Sequence, residues 1–315
     1  MAVFTLTLNP AIDQTVMLDR LIPGEVHRAR SMRLDAGGKG INTASCLADW
    51  GVPSTVMGLL GSENVAPFDA LFAAKSIVDR CQRHAGSTRV NLKLVDAHGT
   101  TDINMEGTAV PPAGVDAVIA TLDAQVQAGD LVILAGSLPP GCPPDIYARL
   151  IVMLRGRGAI VLLDSSGPAL RHALDGAVLP NIVKPNLHEL AEWHGTPIDA
   201  PHQIIEVATG LLDRGVDLIA VSMGAQGALF LTRSELLRAG LRANNVESTV
   251  GAGDAMVAGL AAALIEEAGL DRIARLSTAF AVGKLGCAGP HLPARDRIEA
   301  LAASVETEIL MGEKQ

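Results

Sequence analysis

No run in this sequence reaches the roughly 18 uncharged apolar residues that a membrane-spanning helix needs. Hydrophobic residues nevertheless make up 49% of the chain, and the mean hydropathy is positive. The excess is Ala, Val, Leu and Gly scattered through short runs, which suits a globular core. The N-terminus MAVFTLTLNP has neither the basic region nor the cleavage site of a signal peptide and reads as a strand, so a soluble, cytoplasmic protein is expected. Positive charge is also in short supply. Lys and Arg total 25 against 34 Asp and Glu, a formal charge of -9. That balance argues against nucleic acid or an anionic membrane as the main partner, so any anionic substrate must be held by a few placed cations. Cysteine pairs are missing too. Cys46, Cys81, Cys142 and Cys287 are far apart with no C-x-x-C, which excludes the usual zinc and redox motifs. All four are expected to be reduced and structural, with Cys46 and Cys287 in apolar helical surroundings. Pro/Gly/Ser linkers, low-complexity tracts and internal repeats are absent as well.

What is present, over 315 residues, is a chain long enough to bury a core without staples. From about residue 116 onward, helical spacing and continuous apolar runs alternate. VDAVIATLDAQVQ is followed by LVILA, DIYARLIVMLRGRG by AIVLLD. NIVK, a helix at about 187–194 and another across Ile204–Leu212 then lead to LIAVS. Apolar runs without alternation, separated by helices, predict a doubly wound α/β fold with a mostly parallel sheet covered on both faces. Two regions break the rhythm. DQTVMLD with VHRARSMRLD, and TRVNLKLVD with TTDINMEG around His98-Gly99, alternate with a period of two, as half-exposed antiparallel strands do. One domain over 1–315 is expected, carrying a small antiparallel lid from about 12–34 and 88–107. The lid would cover a ligand, pair with a second subunit, or both.

Several short segments carry candidate chemistry. In DAGGKGINTA, Gly37, Gly38 and Gly40 let backbone approach a ligand, Lys39 supplies a cation, and Ile41 starts a helix running to Trp50. A P-loop needs a different glycine spacing and a hydroxyl after the Lys, and Gly40 stands there instead. The reading stays open between a flexible turn and a sugar or sugar-phosphate contact. STVGAGDAMVAG lacks the last glycine of G-x-G-x-x-G, with Met256 in its place, and follows NNVEST, which is no hydrophobic strand. A nicotinamide dehydrogenase is therefore disfavoured. What remains is a turn whose N–H groups form an anion nest before a helix over Ala255–Glu267, with Asp254 as either a cap or a base. In VKPNLHEL, Asn186 and Glu189 stand three apart, spaced either to hold a hydrated Mg2+ or to form a capping box. GSLPPG (136–141) and SMGAQGA (222–228) each follow a buried strand, at the carboxyl ends where open α/β sheets bind ligands.

Taken in order, TLTLNPAID, AGGKGIN, TRVNLKL, GSLPPG, DSSGPAL, VKPNLHEL, VSMGAQGAL and STVGAGDAMVAG span Thr5 to Gly259, about four fifths of the chain. Each is only moderately specific. The ordered set resembles the phosphofructokinase B branch of the ribokinase-like sugar kinases. The resemblance implies that Asp254 is the general base and that the backbone of Gly251, Ala252 and Gly253 forms the anion hole for the γ-phosphoryl group. It implies that Asp13 binds sugar hydroxyls with Gly38 and Asn42, that Ser137 touches the substrate, and that Lys39, Arg89 and Arg28 face the phosphate the substrate already carries. It places Lys184, Asn186, Ser222, Gly224, Gly227, Ser248 and Thr249 along the ATP site, with Asn186 and Glu189 near Mg2+ through water. Among the family's activities, TRVNLKL followed by TDINMEG, with Asn91 and Asn104 on the lid strands, looks most like the 1-phosphofructokinases, and Lys39 in GGKG is shared with the tagatose-6-phosphate kinases. Tagatose-6-phosphate kinase and 6-phosphofructokinase are the alternatives. A non-catalytic sensor on the same fold would be expected to lose the base or the glycines, which this chain keeps. A homodimer through the lid is expected. The departure is AVGKLGCAGP (281–290), where Lys284 and Gly286 stand near the expected adenine pocket in place of the usual small and polar residues.

Overall fold

The computed structural model describes residues 1–198, 200–243, 246 and 248–311. Asn244, Asn245 and Glu247, in the stretch leading to Gly251, lie outside them. The chain opens with β1 (Val3–Thr7), β2 (Ala11–Met17) and β3 (Ser31–Gly37), enters α1 (Lys39–Trp50), and continues through β4 (Thr55–Gly61), α2 (Ala66–Lys75), β5 (Val78–Asp79) and β6 (Gln82–His84). β7 (Val90–Asp96) and β8 (Gly99–Ile103) precede α3 (Pro112–Gln125), β9 (Leu131–Ala135), α4 (Ile146–Gly156) and β10 (Ile160–Asp164). Then come α5 (Gly167–Asp175), β11 (Ile182–Val183), α6 (Leu187–His194), α7 (Pro201–Asp213) and β12 (Leu218–Ser222). The chain ends in β13 (Ala228–Leu231), β14 (Leu236–Gly240), α8 (Ala252–Ile265), α9 (Leu270–Leu285), α10 (Arg295–Ser304) and β15 (Glu306–Met311).

The main sheet runs β15-β14-β13-β12-β11-β10-β9-β1-β4-β5, with β6 also on β4. From β12 to β5 every pairing is parallel. Because successive side chains of a strand point to opposite faces, each parallel strand feeds two cores, which is why LVILA is apolar throughout. Val132 and Leu134 join one core with Leu122, Leu150, Leu170 and Leu211 from the helices α3, α4, α5 and α7. Leu131, Ile133 and Ala135 join the other, with Leu47, Leu260, Phe280 and Ile298 from α1, α8, α9 and α10. β1 lies between β4 and β9, so the strand order reverses there and opens a crevice at the carboxyl ends. β13, β14 and β15 add an antiparallel extension beyond β12.

The lid strands form a second, four-stranded sheet in the order β3-β2-β7-β8. It corrects the antiparallel expectation in one respect. The two hairpins are antiparallel, but they meet through a parallel β2–β7 pair. Residues 26–30 of the expected second strand lie ahead of β3 and outside it. Cys46 is buried on α1 as expected, whereas Cys287 lies just past the end of α9 and is only half-buried.

Candidate functional site

Two tight glycine positions bring α1 to the crevice. Gly38 precedes the helix at φ 116°, a left-handed conformation that costs a side chain dearly, and Gly40 donates its N–H to Thr7 Oγ1 at 3.0 Å. A Cβ on Gly40 would stand 2.4 Å from that hydroxyl. Part of the GGKG motif is thus required by packing of α1 on β1. The geometry delivers Asn42 to the side chain of Asp254, whose Oδ2 accepts from Asn42 Nδ2 at 2.7 Å. Thr43 Oγ1 donates to the Asp254 carbonyl at 3.3 Å.

Asp254 lies in the first turn of α8, which Gly251 enters at φ 81° with no side-chain cap. The opening amides of a helix have no partner four residues back, so this turn presents N–H groups and the positive end of the helix dipole. Asp254 is 8% exposed. Burial and then the neighbouring Asp164 carboxylate raise its pKa to about 6, against the pull of Lys39, the Asn42 hydrogen bond and Lys184. A carboxylate so placed is poised to take a proton near neutral pH.

Asp164, the last residue of AIVLLD, organises the floor of the site. It is 1% exposed at the carboxyl end of β10. Its Oδ1 lies 3.0 Å from Lys39 Nζ and 3.2 Å from Lys184 Nζ. Burial alone would raise its pKa, but the two ammonium groups hold it below the usual carboxylate range. The signal was in AIVLLD: a charge ending a fully buried strand must find a partner. Lys39 Nζ also lies 3.7 Å from Glu189 Oε1. Lys39 therefore takes part in this cluster with its side chain still 30% exposed, and its expected place beside the substrate's phosphate stands as a proposal. Burial works against the ammonium, yet Asp164, Glu189 and Asp254 raise its pKa overall. Lys184 reaches the α8 turn, since a Cβ on Gly253 would stand 3.7 Å from its Nζ.

Asn186 and Glu189 form a complete capping box on α6. Asn186 Oδ1 accepts from the Glu189 N–H at 2.8 Å, and Glu189 Oε2 accepts from the Asn186 N–H at 2.9 Å. Glu189 Oε1 is left toward Lys39. Ser222 pairs with Asn186 in a parallel bridge, and Gly224 and Gly227 bound the turn that follows. Gly227 has φ 88°, and a Cβ there would meet the Ala239 carbonyl at 2.2 Å. Ser248 Oγ accepts from the Val250 N–H, and the exposed Thr249 offers its carbonyl to the Ala252 N–H.

Alternation along the lid places Asp13, Thr15, Arg33, Lys93 and Thr100 on one face, toward the main sheet. This face closes a cleft of about 390 Å³ shared with Asn42, Ser248, Gly251 and Lys284. Asp13 accepts from Asn91 Nδ2 at 3.2 Å and lies 3.3 Å from Lys93 Nζ. Lys93 was missed, although the period-2 pattern of TRVNLKLVD puts it on the face of Asn91. Arg89 points elsewhere. Its guanidinium donates to the carbonyls of Asn9, Pro10 and Met105, fastening the lid base, and it lines a separate small cavity with His84, Ser87 and Thr108. Burial lowers its pKa. In this conformation Arg89 is a strap on these carbonyls, and its expected contact with the substrate's phosphate stands as a proposal. Arg28 is exposed on the β2–β3 loop. Ser137 Oγ accepts from Asn9 Nδ2 at 3.2 Å, at the carboxyl end of β9. Lys284 lines the same cleft as Gly251, where a purine neighbour was expected.

Residues 6–297 match the description "pfkB family carbohydrate kinase". The chain is 50% identical to a 1-phosphofructokinase of Xanthomonas campestris over 286 residues, covering 89% of this chain and 90% of that one. It is 48% identical to a 1-phosphofructokinase of Rhodobacter capsulatus over 309 residues, covering 97% of each. Its fold is similar to phosphofructokinase-2 from Escherichia coli in complex with substrates and products, with TM-score 0.90 and 26% identity, covering 96% of this chain and 99% of that one.

Proposed function

Because the chain belongs to the pfkB family of carbohydrate kinases, we propose that it transfers the γ-phosphoryl group of ATP to fructose 1-phosphate, giving fructose 1,6-bisphosphate and ADP. The observation that carries this reading is the meeting of Asp254, raised to a pKa of about 6, with the amides of the α8 turn at the mouth of the cleft. Asp254 accepts the proton of the sugar's C6 hydroxyl as the O–P bond forms. The bond from the γ-phosphorus to the bridging oxygen breaks, and ADP leaves with that oxygen. The amides of Gly251, Ala252 and Gly253 neutralise the charge that develops on the equatorial oxygens. Asn42 orients the base. Asp13, held by Asn91 and Lys93, accepts from sugar hydroxyls, beside Gly38 and Ser137. Lys184, steadied by Asp164 together with Lys39, faces the nucleotide phosphates, and Ser222, Gly224, Gly227, Ser248 and Thr249 line the remainder of the ATP groove. Arg28, exposed on the lid, is available to the phosphate the substrate already carries.

The residues fit Mg2+ only indirectly. Among the described residues no three acidic, His or Cys side chains cluster as a metal site, and Asn186 and one oxygen of Glu189 are spent on the capping box. Glu189 Oε1 would order water around an ion held chiefly by nucleotide phosphates, as suits this reluctantly dehydrated cation. When bound, the ion offsets charge on the β- and γ-phosphates. The chain is read as one unit over 1–315, working in the cytoplasm, with lid segments at about 12–34 and 88–107 that also pair two copies. Uncross-linked Cys46, Cys81 and Cys142 suit a reducing compartment, and no described helix is long and apolar enough to cross a membrane.

The test is a parallel assay of fructose 1-phosphate, fructose 6-phosphate and tagatose 6-phosphate with Mg-ATP. The expected order places fructose 1-phosphate first in kcat/KM by at least about tenfold. A higher value for either 6-phosphate would replace the substrate while keeping the kinase.

A further inference from the structure

The transfer scheme leaves one buried cation of the cleft without a task. Lys284 stands in the last turn of α9 and is 3% exposed. Its Nζ donates to the Cys287 carbonyl at 2.8 Å, which uses one of the three ammonium N–H groups. The stem passes the entry of α8 so closely that a Cβ on Gly251 would stand 3.3 Å from Lys284 Cε. The backbone fixes the two segments to each other as well, through the Ser248 N–H on the Leu285 carbonyl at 3.2 Å.

Two helix ends of opposite sign therefore meet at this ammonium. The carbonyl end of α9 holds it, as a cation near a helix C-terminus should be held. The amide end of α8, directly in front of it, repels it. Lys184 approaches the same turn from the other side, near Gly253, and Lys93 lines the same cleft. Burial strips water from the Lys284 ammonium and lowers its pKa, with Lys93 adding to the effect, while Asp254 works the other way. Positive groups gathered around a turn of amides are relieved when an anion arrives. In the reaction proposed above, that anion is the phosphoryl group in transfer, which carries its charge on oxygens that the α8 amides face.

Resting on that reading, we infer that Lys284 is a further catalytic residue, whose ammonium neutralises the transferring phosphoryl group from the cleft side of Gly251. Lys184 does the same from the nucleotide side. The Cys287 carbonyl and the end of α9 fix the ammonium before substrate arrives, so its charge acts without reorganisation. This accounts for a lysine in a stretch that otherwise carries no charge (AVGKLGCAGP).

The experiment compares Lys284→Met, close in shape but neutral, with Lys284→Arg, which keeps the charge. Four quantities are measured: kcat, both KM values, the melting temperature, and affinity for Mg-ADP with aluminium fluoride as a mimic of the phosphoryl group in transfer. Lys284→Met is expected to lower kcat by about 10²-fold and to weaken the mimic by a similar factor, as loss of one oxyanion donor does. Both KM values should stay within about threefold, because an interaction made only in the transition state leaves ground-state binding intact. Lys284→Arg should recover at least about tenfold of the lost rate. The inference is overturned if Lys284→Met keeps kcat within about threefold of wild type. It is equally overturned if Met and Arg variants lose rate, substrate binding and melting temperature together, since a merely structural role predicts that. The assay uses whichever ketohexose phosphate the wild type turns over, so an error in the substrate is seen in the wild type alone. A wild type that transfers no phosphoryl group to any of them overturns both readings.

Discussion

At the scale of single residues, the proposed chemistry turns on where Asp254 titrates. As the proposed base the carboxylate acts only when ionised, and burial and Asp164 raise its pKa to about 6. Rate should therefore be flat above neutrality and fall about tenfold per pH unit below the pKa, in the profile of kcat/KM that reports the free enzyme. Asn42 donates to the ionised form and lowers the pKa. Asn42→Ala should consequently shift the acid limb to higher pH, and Asp254→Asn should abolish that limb while lowering kcat by about 10²–10⁴-fold. An acid limb left in place in Asp254→Asn, or unmoved by Asn42→Ala, would assign the proton to another group. The positions of Asp254, Asn42, the α8 glycines and Lys184 were legible because a turn or strand end fixes them through the backbone. The partners of Lys39, Arg89 and Lys284 were not legible, for the opposite reason. Their charges ride on long flexible stems, and their partners lie 125 residues away at Asp164 for Lys39, or on backbone carbonyls that no motif encodes.

At the scale of elements, helices and parallel strands were readable because burial imposes a period of 3.6 or a continuous apolar run. β9, β10, α4, α6 and α7 lie close to where those periods put them. The antiparallel extension after β12 went unread, since ALFL and LLRAG are too short for any period to be counted. The parallel β2–β7 pair was equally hidden, because it joins Ile12 to Val90, and alternation within a strand does not name its neighbour. Helix contacts are a third thing sequence does not show, and Gly259 tests it. A glycine inside a helix ordinarily costs about 1 kcal/mol against alanine. Here a Cβ would stand 2.6 Å from Ser277 Cα and 3.0 Å from the Leu276 carbonyl, so α8 and α9 approach through this position. Backbone cannot yield as a side-chain tip does. Gly259→Ala should lose about 1–3 kcal/mol of unfolding free energy in urea titration, in place of the usual gain. Gly210→Ala on α7, with nothing within 4 Å of the added methyl, should instead gain about 0.5–1 kcal/mol. Equal effects of the two substitutions would mean that the α8–α9 contact is not tight.

At the scale of the whole molecule, the lid poses a problem of covering. One face of its sheet is polar and closes on the cleft. The strand register puts Val16, Met32, Leu34, Leu92, Leu94 and Ile103 on the other face. Of these, Met32 is 60% exposed, Leu34 47% and Ile103 43%. Such an apolar face, with free edges at β3 and β8, invites a partner with the same surface, because a two-fold axis lets one patch complement itself. The wild type should therefore sediment as a dimer at assay concentration. A Met32→Glu/Leu34→Glu variant should sediment as a monomer, since pairing would bury two like charges per subunit without partners. Because the opposite face of the same strands carries Asp13 and Lys93, losing the partner should loosen the lid over the sugar. The KM for the sugar phosphate should then rise while the KM for ATP, whose proposed groove lies beyond β10 toward β12, holds. A monomeric wild type, or a monomeric variant with both KM values unchanged, would separate the lid's apolar face from the binding of substrate.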